Sequence, residues 1–210
     1  MDRCLIFCAG GFDRLLLPIE DDDKIIAADG GYLHIQKLGV TANILLGDFD
    51  SLGYIPQGAE IFPVEKDDTD AMLAAKKALA LGCREVLIYG GMDGDRPDHT
   101  LANYQTLAYL ARHGARGYLI GLNHIATVIC DETVKFSAAA QGVLSLVCLG
   151  ADASGITLSG LKYNMEDGKL TSDFPLGVSN HFTGEDAAIT VKSGWVLALW
   201  ERRSGLPTRQ

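Results

Sequence analysis

The strongest constraint on the fold is a series of short apolar runs in the first 121 residues that do not alternate with polar residues. Runs of this length and kind are typical of strands buried on both faces of a sheet. They cover residues 3–9, 24–28, 42–46, 85–90 and 117–121. Helical spacing of apolar residues predicts helices between these runs, over residues 32–39, 70–82 and 99–114. Strands that alternate with helices indicate a parallel sheet with helices on both faces.

Each predicted helix ends on a glycine, the residue best suited to a left-handed C-cap. In the third helix we expect one apolar stripe to face the sheet. Its members are Leu101, Tyr104, Leu107, Ala108 and Ala111.

Beyond about residue 123 the pattern changes to short alternating segments separated by Gly, Asp, Asn and Ser, with no convincing helix. This pattern predicts an all-β sandwich or partial barrel. We therefore predict an α/β parallel-sheet catalytic domain, Rossmann-like but without a GxGxxG fingerprint, over residues 1–125, and an all-β domain over residues 126–210. Trp195 and Trp200 are expected in the β-domain core, and the polar tail, residues 202–210, is expected to be frayed.

Charge and cysteine content narrow the class of protein. A net charge of −9 argues against a nucleic-acid binder, which normally carries clustered Lys and Arg. Five cysteines without a CxxC pair indicate buried, reduced thiols rather than a disulfide framework. No apolar run approaches the ~20 residues that span a bilayer, and the first residues lack a secretory pattern. We therefore expect a cytoplasmic protein with neither a nucleic-acid nor a membrane partner.

Four acidic or glycine-rich segments fall at the carboxyl ends of predicted strands, the third of them after a further short apolar run, residues 61–64. They are ADGG (28–31), GDFDS (47–51), KDDTD (66–70) and GGMDGDRPDH (90–99). In an open α/β sheet, ligands bind outside the carboxyl ends of the strands. The four segments are therefore predicted to converge on one site.

GDFDS has the composition of a magnesium site. Mg²⁺ takes oxygen ligands and is usually held by one or two carboxylates, with water and substrate phosphates completing its shell. In an extended segment Asp48 and Asp50 project to the same side, so we expect Phe49 to be buried as the anchor of the pair. Taken alone, the same segment also fits a solvated turn.

KDDTD begins the second predicted helix, with either Asp68 or Thr69 as its N-cap. Acidic residues at a helix start also complement the helix dipole, which is a purely structural explanation. Functionally, Asp68 or Asp70 can add a carboxylate to the metal, and Lys66 can offer a positive charge to phosphate.

GGMDGDRPDH offers two glycine amides to a phosphate and then Arg96, Asp98 and His99 before a helix N-terminus, which also favours anions. The segment does not fit an EF-hand loop, and the chain contains no P-loop. The isolated His34, His113 and His124 are interpreted as surface or packing residues rather than ligands.

Taken together, these four segments resemble the thiamine pyrophosphokinase family. Two segments of the second domain support the resemblance: GLKYNM (160–165) and VSNHFTGEDAAITVKSGWVLAL (178–199). The first is similar to a G-L-K-Y-x-L element of the family, with Met165 in place of leucine. The resemblance covers nearly the whole chain, in order.

The resemblance implies a homodimer in which a β-rich domain serves thiamine binding and dimerisation, with thiamine sites near the subunit interface. It implies an Mg²⁺-dependent transfer of diphosphate from ATP to the thiamine hydroxyl. By motif position, the resemblance implies that the catalytic residues are Asp48, Asp50, Asp70 and Asp98, of which the first three would also be the metal ligands. The residues on the ATP side would be Asp29, Gly30, Gly91, Arg96, His99 and Asn103. The residues on the thiamine side would be Lys66, Asp70, Ser179 and Asn180.

Two alternatives stay open at this point. One is another ATP-dependent transferase on the same scaffold that uses a different small alcohol. The other is a non-catalytic sensor that binds nucleotide and metal.

Overall fold

The computed structural model describes residues 2–63 and 67–209. The chain divides into two compact units, Met1–Leu122 and Asn123–Gln210. An α/β domain followed by a second, β-rich domain is the arrangement that the sequence predicts. The boundary proposed from the sequence, between residues 125 and 126, falls inside the strand His124–Ile129.

The first unit contains, within its described residues, six strands and three α-helices. These are β1 (Arg3–Phe7), β2 (Lys24–Ala28), α1 (Tyr32–Leu38), β3 (Ile44–Gly47), β4 (Glu60–Ile61), α2 (Asp70–Ala80), β5 (Glu85–Tyr89), α3 (Pro97–Arg112) and β6 (Arg116–Ile120). The strands lie in the order β4-β3-β2-β1-β5-β6, and every neighbouring pair is parallel. All five apolar runs are strands, as predicted.

The core of this unit lies around β1 and its neighbours. Residues 4–7 of β1 are fully buried, as are residues 86–89 of β5, which is what continuous apolar runs in a covered sheet require. All five cysteines are free thiols; Cys4, Cys8 and Cys83 are buried as expected, whereas Cys130 and Cys148 are only half-buried.

The helix ends follow their capping residues. Helix α1 ends at Gly39, which is left-handed with φ 68°. Helix α2 begins after Thr69, whose hydroxyl accepts a hydrogen bond from the backbone N–H of Met72 at 3.2 Å, so Thr69 rather than Asp68 is the N-cap. Among the described helices, none combines the length and apolar character of a membrane span.

The buried face of α3 differs from the predicted stripe. Leu101 is 65% exposed, and the buried residues are Asn103, Thr106, Leu107 and Leu110. Two polar residues are buried here because each has a local partner: Asn103 donates to the carbonyl of Gly91, and Thr106 to that of Ala102. Apolar periodicity alone does not reveal such a face.

The second unit contains nine strands in its described part. They are β7 (His124–Ile129), β8 (Glu132–Phe136), β9 (Val143–Cys148), β10 (Ala153–Ser159), β11 (Met165–Leu170), β12 (Asn180–His181), β13 (Ala187–Val191), β14 (Val196–Glu201) and β15 (Thr208–Arg209). Strands β7-β14-β9-β12 and β11-β10-β13-β8-β15 form two antiparallel groups, consistent with the predicted β domain.

The aromatic core of the second unit surrounds Trp200, which is 1% exposed. The Trp200 ring meets the Phe136 ring edge-on, with 5.3 Å between the ring centroids, and the Phe136 and Phe182 centroids are 5.0 Å apart. The indole N–H of Trp200 donates to the carbonyl of Gly205. Trp195, which we also expected in this core, is only half-buried.

The tail of the chain is ordered through Arg209, and the expectation of a frayed end was wrong. The Arg209 side chain is almost fully buried against the carboxylate of Glu132 and also donates to Thr127. Strand β15 pairs with β8 alongside this contact. A paired and hydrogen-bonded cation can be buried, so the polar composition of the tail is a poor guide here.

Candidate active site

Three carboxylates form a corner at the ends of two neighbouring parallel strands. Asp29 directly follows β2, and Asp48 and Asp50 follow β3. One carboxylate oxygen from each residue lies within 4.8 Å of the other two. Asp29 and Asp48 are half-buried, whereas Asp50 is exposed. We refer to Asp29, Asp48 and Asp50 as the carboxylate corner.

Gly47 allows the two strand ends to meet. Its φ of 143° is a conformation that side-chain-bearing residues rarely adopt. A Cβ at this position would lie 3.0 Å from both the Cα and the backbone nitrogen of Asp29. The absence of a side chain at Gly47 therefore brings the backbone of Asp29 close to the segment that carries Asp48.

Phe49 is buried, with 2% of its surface exposed, as the sequence predicts. The geometry that joins its neighbours is different from the extended segment we expected. Phe49 has φ 57° and ψ 21°, and Asp50 begins a short 3-10 helix. The N–H of Asp50 donates to the Asp48 carboxylate at 3.2 Å, so a tight turn around an anchored ring brings the pair together.

Left-handed backbone recurs at this corner, because Asp29 also has a positive φ, of 48°. Such conformations cost on the order of 1–3 kcal/mol for residues other than glycine, and they are concentrated at functional sites. At the corner the surrounding packing holds two of them next to each other.

Asp70, at the start of α2, lies near the same region but is not one of the three clustered carboxylates. Burial of the Cys8 thiol, directly after β1, raises its pKa to about 12, and the negative charges of Asp70 and Asp29 add to this effect. Both carboxylates therefore act electrostatically on the same thiol. Assignment of Asp70 as a metal ligand stays a prediction.

Two further residues of the KDDTD segment, Asp68 and Lys66, were also predicted to take part in the site. Both Asp68 oxygens accept hydrogen bonds from the ammonium of Lys76 at 2.7 Å, so Asp68 is engaged with its own helix. Lys66, predicted on the thiamine side, lies outside the described residues.

The loop after β5 is tied to the turn after β1. The amide of Gly10 donates to the carbonyl of Gly90 at 2.8 Å, and the amide of Gly11 to that of Asp93 at 3.0 Å. From the other side, the buried Asn103 side chain donates to the carbonyl of Gly91 at 2.7 Å. Asn103 thus holds the loop through the Gly91 carbonyl, and its contact with ATP stays a prediction.

Arg96 and Asp98 form a two-pronged ion pair just before and within the first turn of α3. The guanidinium Nε and Nη2 reach the two carboxylate oxygens at 3.0 and 2.6 Å. The side chains are 66% and 62% exposed. The hydrogen bond from Arg96 lowers the pKa of Asp98 to about 2, and Asp98 raises the pKa of Arg96. His99 is exposed next to this pair.

In the second unit, Ser179 and Asn180 connect the two segments that carried the resemblance. Ser179 is left-handed, with φ 64°, and its N–H donates to the Ser145 hydroxyl. The Asn180 side chain donates to the carbonyl of Tyr163 at 2.7 Å and accepts from the Tyr163 N–H at 2.9 Å. The buried Asn180 amide thus joins GLKYNM to VSN, and its contact with thiamine stays a prediction.

Sequence reasoning missed two features of the first unit. It assigned Asp29 to the nucleotide, whereas the structure groups Asp29 with Asp48 and Asp50. The sequence did contain a sign of this grouping, because the two segments follow consecutive strands, β2 and β3. It also passed over Gly10 and Gly11, although a glycine pair directly after a buried strand is a recognisable sign of close backbone approach.

Two family models match the chain, in order. Residues 17–119 match the model described as "Thiamin pyrophosphokinase, catalytic domain", and residues 131–196 match "Thiamin pyrophosphokinase, vitamin B1 binding domain". The first range contains the carboxylate corner, Asp70 and the Arg96–Asp98 pair, and the second contains Ser179 and Asn180.

Individual relatives agree with these matches. The chain is 26% identical over 183 residues, covering 83% of it and 85% of the relative, to the thiamine pyrophosphokinase of Bacillus subtilis strain 168. The thiamine pyrophosphokinase structure from Bacillus subtilis has a TM-score of 0.82 at 21% identity and covers 95% of this chain and 99% of that one. The Candida albicans thiamin pyrophosphokinase structure has a TM-score of 0.75 at 15% identity, covering 95% and 89%. At such identities the structural likeness concerns the fold alone.

Proposed function

The chain belongs to the thiamin pyrophosphokinase family, and we propose that it transfers diphosphate from ATP to the hydroxyl of thiamine, giving thiamine diphosphate and AMP. The observation that carries this proposal is the carboxylate corner, which lies within the match to the family's catalytic domain. A built cluster of oxygen ligands at strand ends is what an enzyme acting on a nucleoside triphosphate needs there.

The bond changes define what the protein must supply. The hydroxyl oxygen of thiamine attacks the β-phosphorus, the bond from that phosphorus to the oxygen bridging the α- and β-phosphates breaks, and AMP leaves with the electron pair. The hydroxyl proton passes to a base. Phosphoryl transfers of this kind depend mostly on in-line positioning and on neutralising charge on the phosphoryl oxygens.

The carboxylate corner fits Mg²⁺. Asp29, Asp48 and Asp50 each offer a hard carboxylate oxygen, and these oxygens lie within 4.8 Å of one another. Mg²⁺ prefers oxygen ligands of this kind and completes its octahedral shell with water or phosphate. When bound, the ion would supply positive charge to the phosphate oxygens. Asp48 and Asp50 are the ligands we propose first, with Asp29 closing the third side.

Asp70 is our proposed acceptor of the thiamine proton. It lies at the amino end of α2, and its negative charge, like that of Asp29, acts on the Cys8 thiol. Cys8 itself does not compete as a nucleophile, because a thiol with a pKa of about 12 stays protonated at neutral pH. Thiamine is a cation, so the same acidic surroundings that repel ATP alone would attract the acceptor.

The nucleotide side comprises the loop after β5 and the start of α3. Gly91, Arg96, His99 and Asn103 would face ATP, together with Gly30 of the turn after β2. Asp98 would act by holding the Arg96 guanidinium as a preformed fork for a phosphate oxygen.

Further parts of the proposal derive from the family resemblance. They are a Rossmann-like character of the first domain, a thiamine site that includes Lys66, Ser179 and Asn180, a homodimer with thiamine sites near the subunit interface, and a cytoplasmic location. The parallel strand pairing of the first unit supports the first of these, and the match to a vitamin B1 binding domain supports the second.

The deciding experiment is to incubate the purified protein with thiamine, ATP and Mg²⁺ and to separate the products by chromatography. We expect thiamine diphosphate and AMP in equal amounts, and neither when EDTA is added. Absence of both products at saturating substrates would refute the proposal. ADP with thiamine monophosphate would indicate an ordinary kinase, and nucleotide binding without any product would indicate a sensor.

A further inference from the structure

His34 makes a contact that its interpretation as a surface or packing residue does not explain. It lies on α1, three residues after Gly31 and five after Asp29. Its ring nitrogen Nε2 lies 2.8 Å from the carbonyl oxygen of Gly10. A carbonyl oxygen only accepts hydrogen bonds, so Nε2 carries the hydrogen and donates it.

The carbonyl that His34 binds belongs to the turn that supports the loop after β5. The N–H of Gly10 donates to the carbonyl of Gly90, and the next amide, of Gly11, donates to the carbonyl of Asp93. A Cβ at Gly10 would lie 2.5 Å from the Gly90 oxygen, so the two backbones are in direct contact. A displacement of Gly10 therefore moves the loop that begins at Gly90.

The His34 ring is held in place by aromatic packing. Its centroid lies 5.2 Å from that of the Phe12 ring. The Phe12 ring in turn meets the rings of Phe7 and Tyr89 edge-on, with centroid distances of 5.5 and 5.6 Å. The other ring nitrogen, Nδ1, is buried and has no hydrogen-bond partner among the described residues. The bond to Gly10 is therefore the polar contact that this fixed ring makes.

We infer that His34 is a positioning residue for ATP. Its bond to Gly10 connects the helix that follows Asp29 of the carboxylate corner to the loop of Gly90 and Gly91. The two sides of the nucleotide site are thereby kept at a fixed separation. This inference rests on the proposed function, because it takes the loop after β5 as the ATP side.

Three variants test the inference. His34→Leu keeps similar volume and removes the donor, whereas His34→Gln keeps an amide donor that can reach the Gly10 carbonyl. His113→Leu is the matched control, because His113 also bonds to a backbone carbonyl, that of Tyr109 at 2.8 Å, but at the opposite end of α3 from the loop.

The first readout is affinity for α,β-methylene-ATP, an analogue whose α–β linkage cannot be cleaved, by calorimetry. We expect His34→Leu to weaken binding about 10-fold, with His34→Gln and His113→Leu within about 3-fold of the unaltered protein. In turnover assays, the KM for ATP should rise in His34→Leu while the KM for thiamine does not change.

The second readout needs no ligand. Hydrogen exchange of the Gly10 and Gly11 amides should accelerate in His34→Leu and not in His113→Leu, because the bonds to Gly90 and Asp93 open more often. If His34→Leu does not fold, His34→Asn replaces it, since its shorter amide does not reach Gly10.

The inference would be overturned if His34→Leu kept the affinity of the unaltered protein for α,β-methylene-ATP, or if His34→Gln lost as much affinity as His34→Leu. A rise confined to the KM for thiamine would do the same. Failure of the proposed function is distinguishable, because the unaltered protein would then form no thiamine diphosphate, while the calorimetric and exchange comparisons would still report on His34.

Discussion

The carboxylate corner and the Arg96–Asp98 pair are both charged groups of the first unit, but they are held in opposite ways. The corner is fixed by backbone: Gly47 lies against Asp29, and the turn at Phe49 is anchored by a buried ring. The pair is held by one ion pair between side chains that are 66% and 62% exposed. One group is built into the fold, and the other lies on its surface.

This difference suggests a division of labour in the proposed reaction. A metal needs ligands at fixed separations, so its site benefits from a rigid turn whose backbone strain is offset by the packing around it. A phosphate contact can adjust as substrate arrives, so an exposed guanidinium oriented by a carboxylate is sufficient. Substitutions in the corner should therefore have larger effects than substitutions in the pair.

The largest effect is expected for Phe49→Ala. Removing a fully buried phenyl ring should lower the free energy of unfolding by about 3–5 kcal/mol. Activity should be lost together with the turn that carries Asp48 and Asp50. Urea unfolding measures the first effect, with Phe49→Leu as a control that should keep most of the stability. Wild-type stability in Phe49→Ala would show that the ring is not the anchor.

The second largest effect is expected for Asp48→Asn. Loss of one carboxylate from the corner should reduce kcat by roughly 10²-fold, on the scale of removing one electrostatic stabiliser. The melting temperature should change little, because Asp48 is only half-buried. Asp21→Asn, an exposed acid with the same change in charge, is the control and should keep full activity. Equal rates in the two variants would remove Asp48 from the proposed metal site.

A smaller effect is expected for Arg96→Lys. Lysine keeps the positive charge but not the planar fork that binds two oxygens of Asp98 at once. The KM for ATP should rise by about 3- to 10-fold, with stability unchanged because the pair is exposed. An effect as large as that of Asp48→Asn would contradict the contrast between a built corner and an adjustable pair.

The smallest effect concerns the titration of Asp98. Its pKa is lowered to about 2 by the bond from Arg96, against about 3.9 for an unperturbed aspartate. A lowered folded-state pKa stabilises the protein above pH about 4, and this contribution is lost as the pH falls through about 2. Carboxyl-carbon NMR should show the low midpoint in the unaltered protein and a return towards about 3.9 in Arg96→Gln. An unchanged midpoint in that variant would mean that Arg96 does not set it.

Much of the first unit could be predicted because its signals are local. Continuous apolar runs mark buried strands wherever they pair, and Thr69 and Gly39 mark helix ends by their own chemistry. The choice of Asp48, Asp50 and a buried Phe49 also followed from three adjacent residues. The exposed face of Leu101 did not follow, because Asn103 is buried only when the Gly91 carbonyl is within reach.

The second unit shows the same limit. Six of its seven longer strands were recognisable, the exception being β11, whereas β12 and β15 are two residues long and exist through pairing with β9 and β8. Arg209 looks like a solvated tail residue in the sequence. Its burial depends on Glu132, which is 77 positions away.

The sequence by itself determined the two-domain order, the strands of the first unit, the acidic segments at their ends and the membership of a family. Tertiary structure decided which acids meet. Asp29 joins Asp48 because Gly47 admits close backbone contact, and His34 reaches Gly10 because α1 packs beside the turn after β1. Local propensity is encoded residue by residue, but a close approach between segments depends on the whole sheet, so it cannot be read from either segment alone.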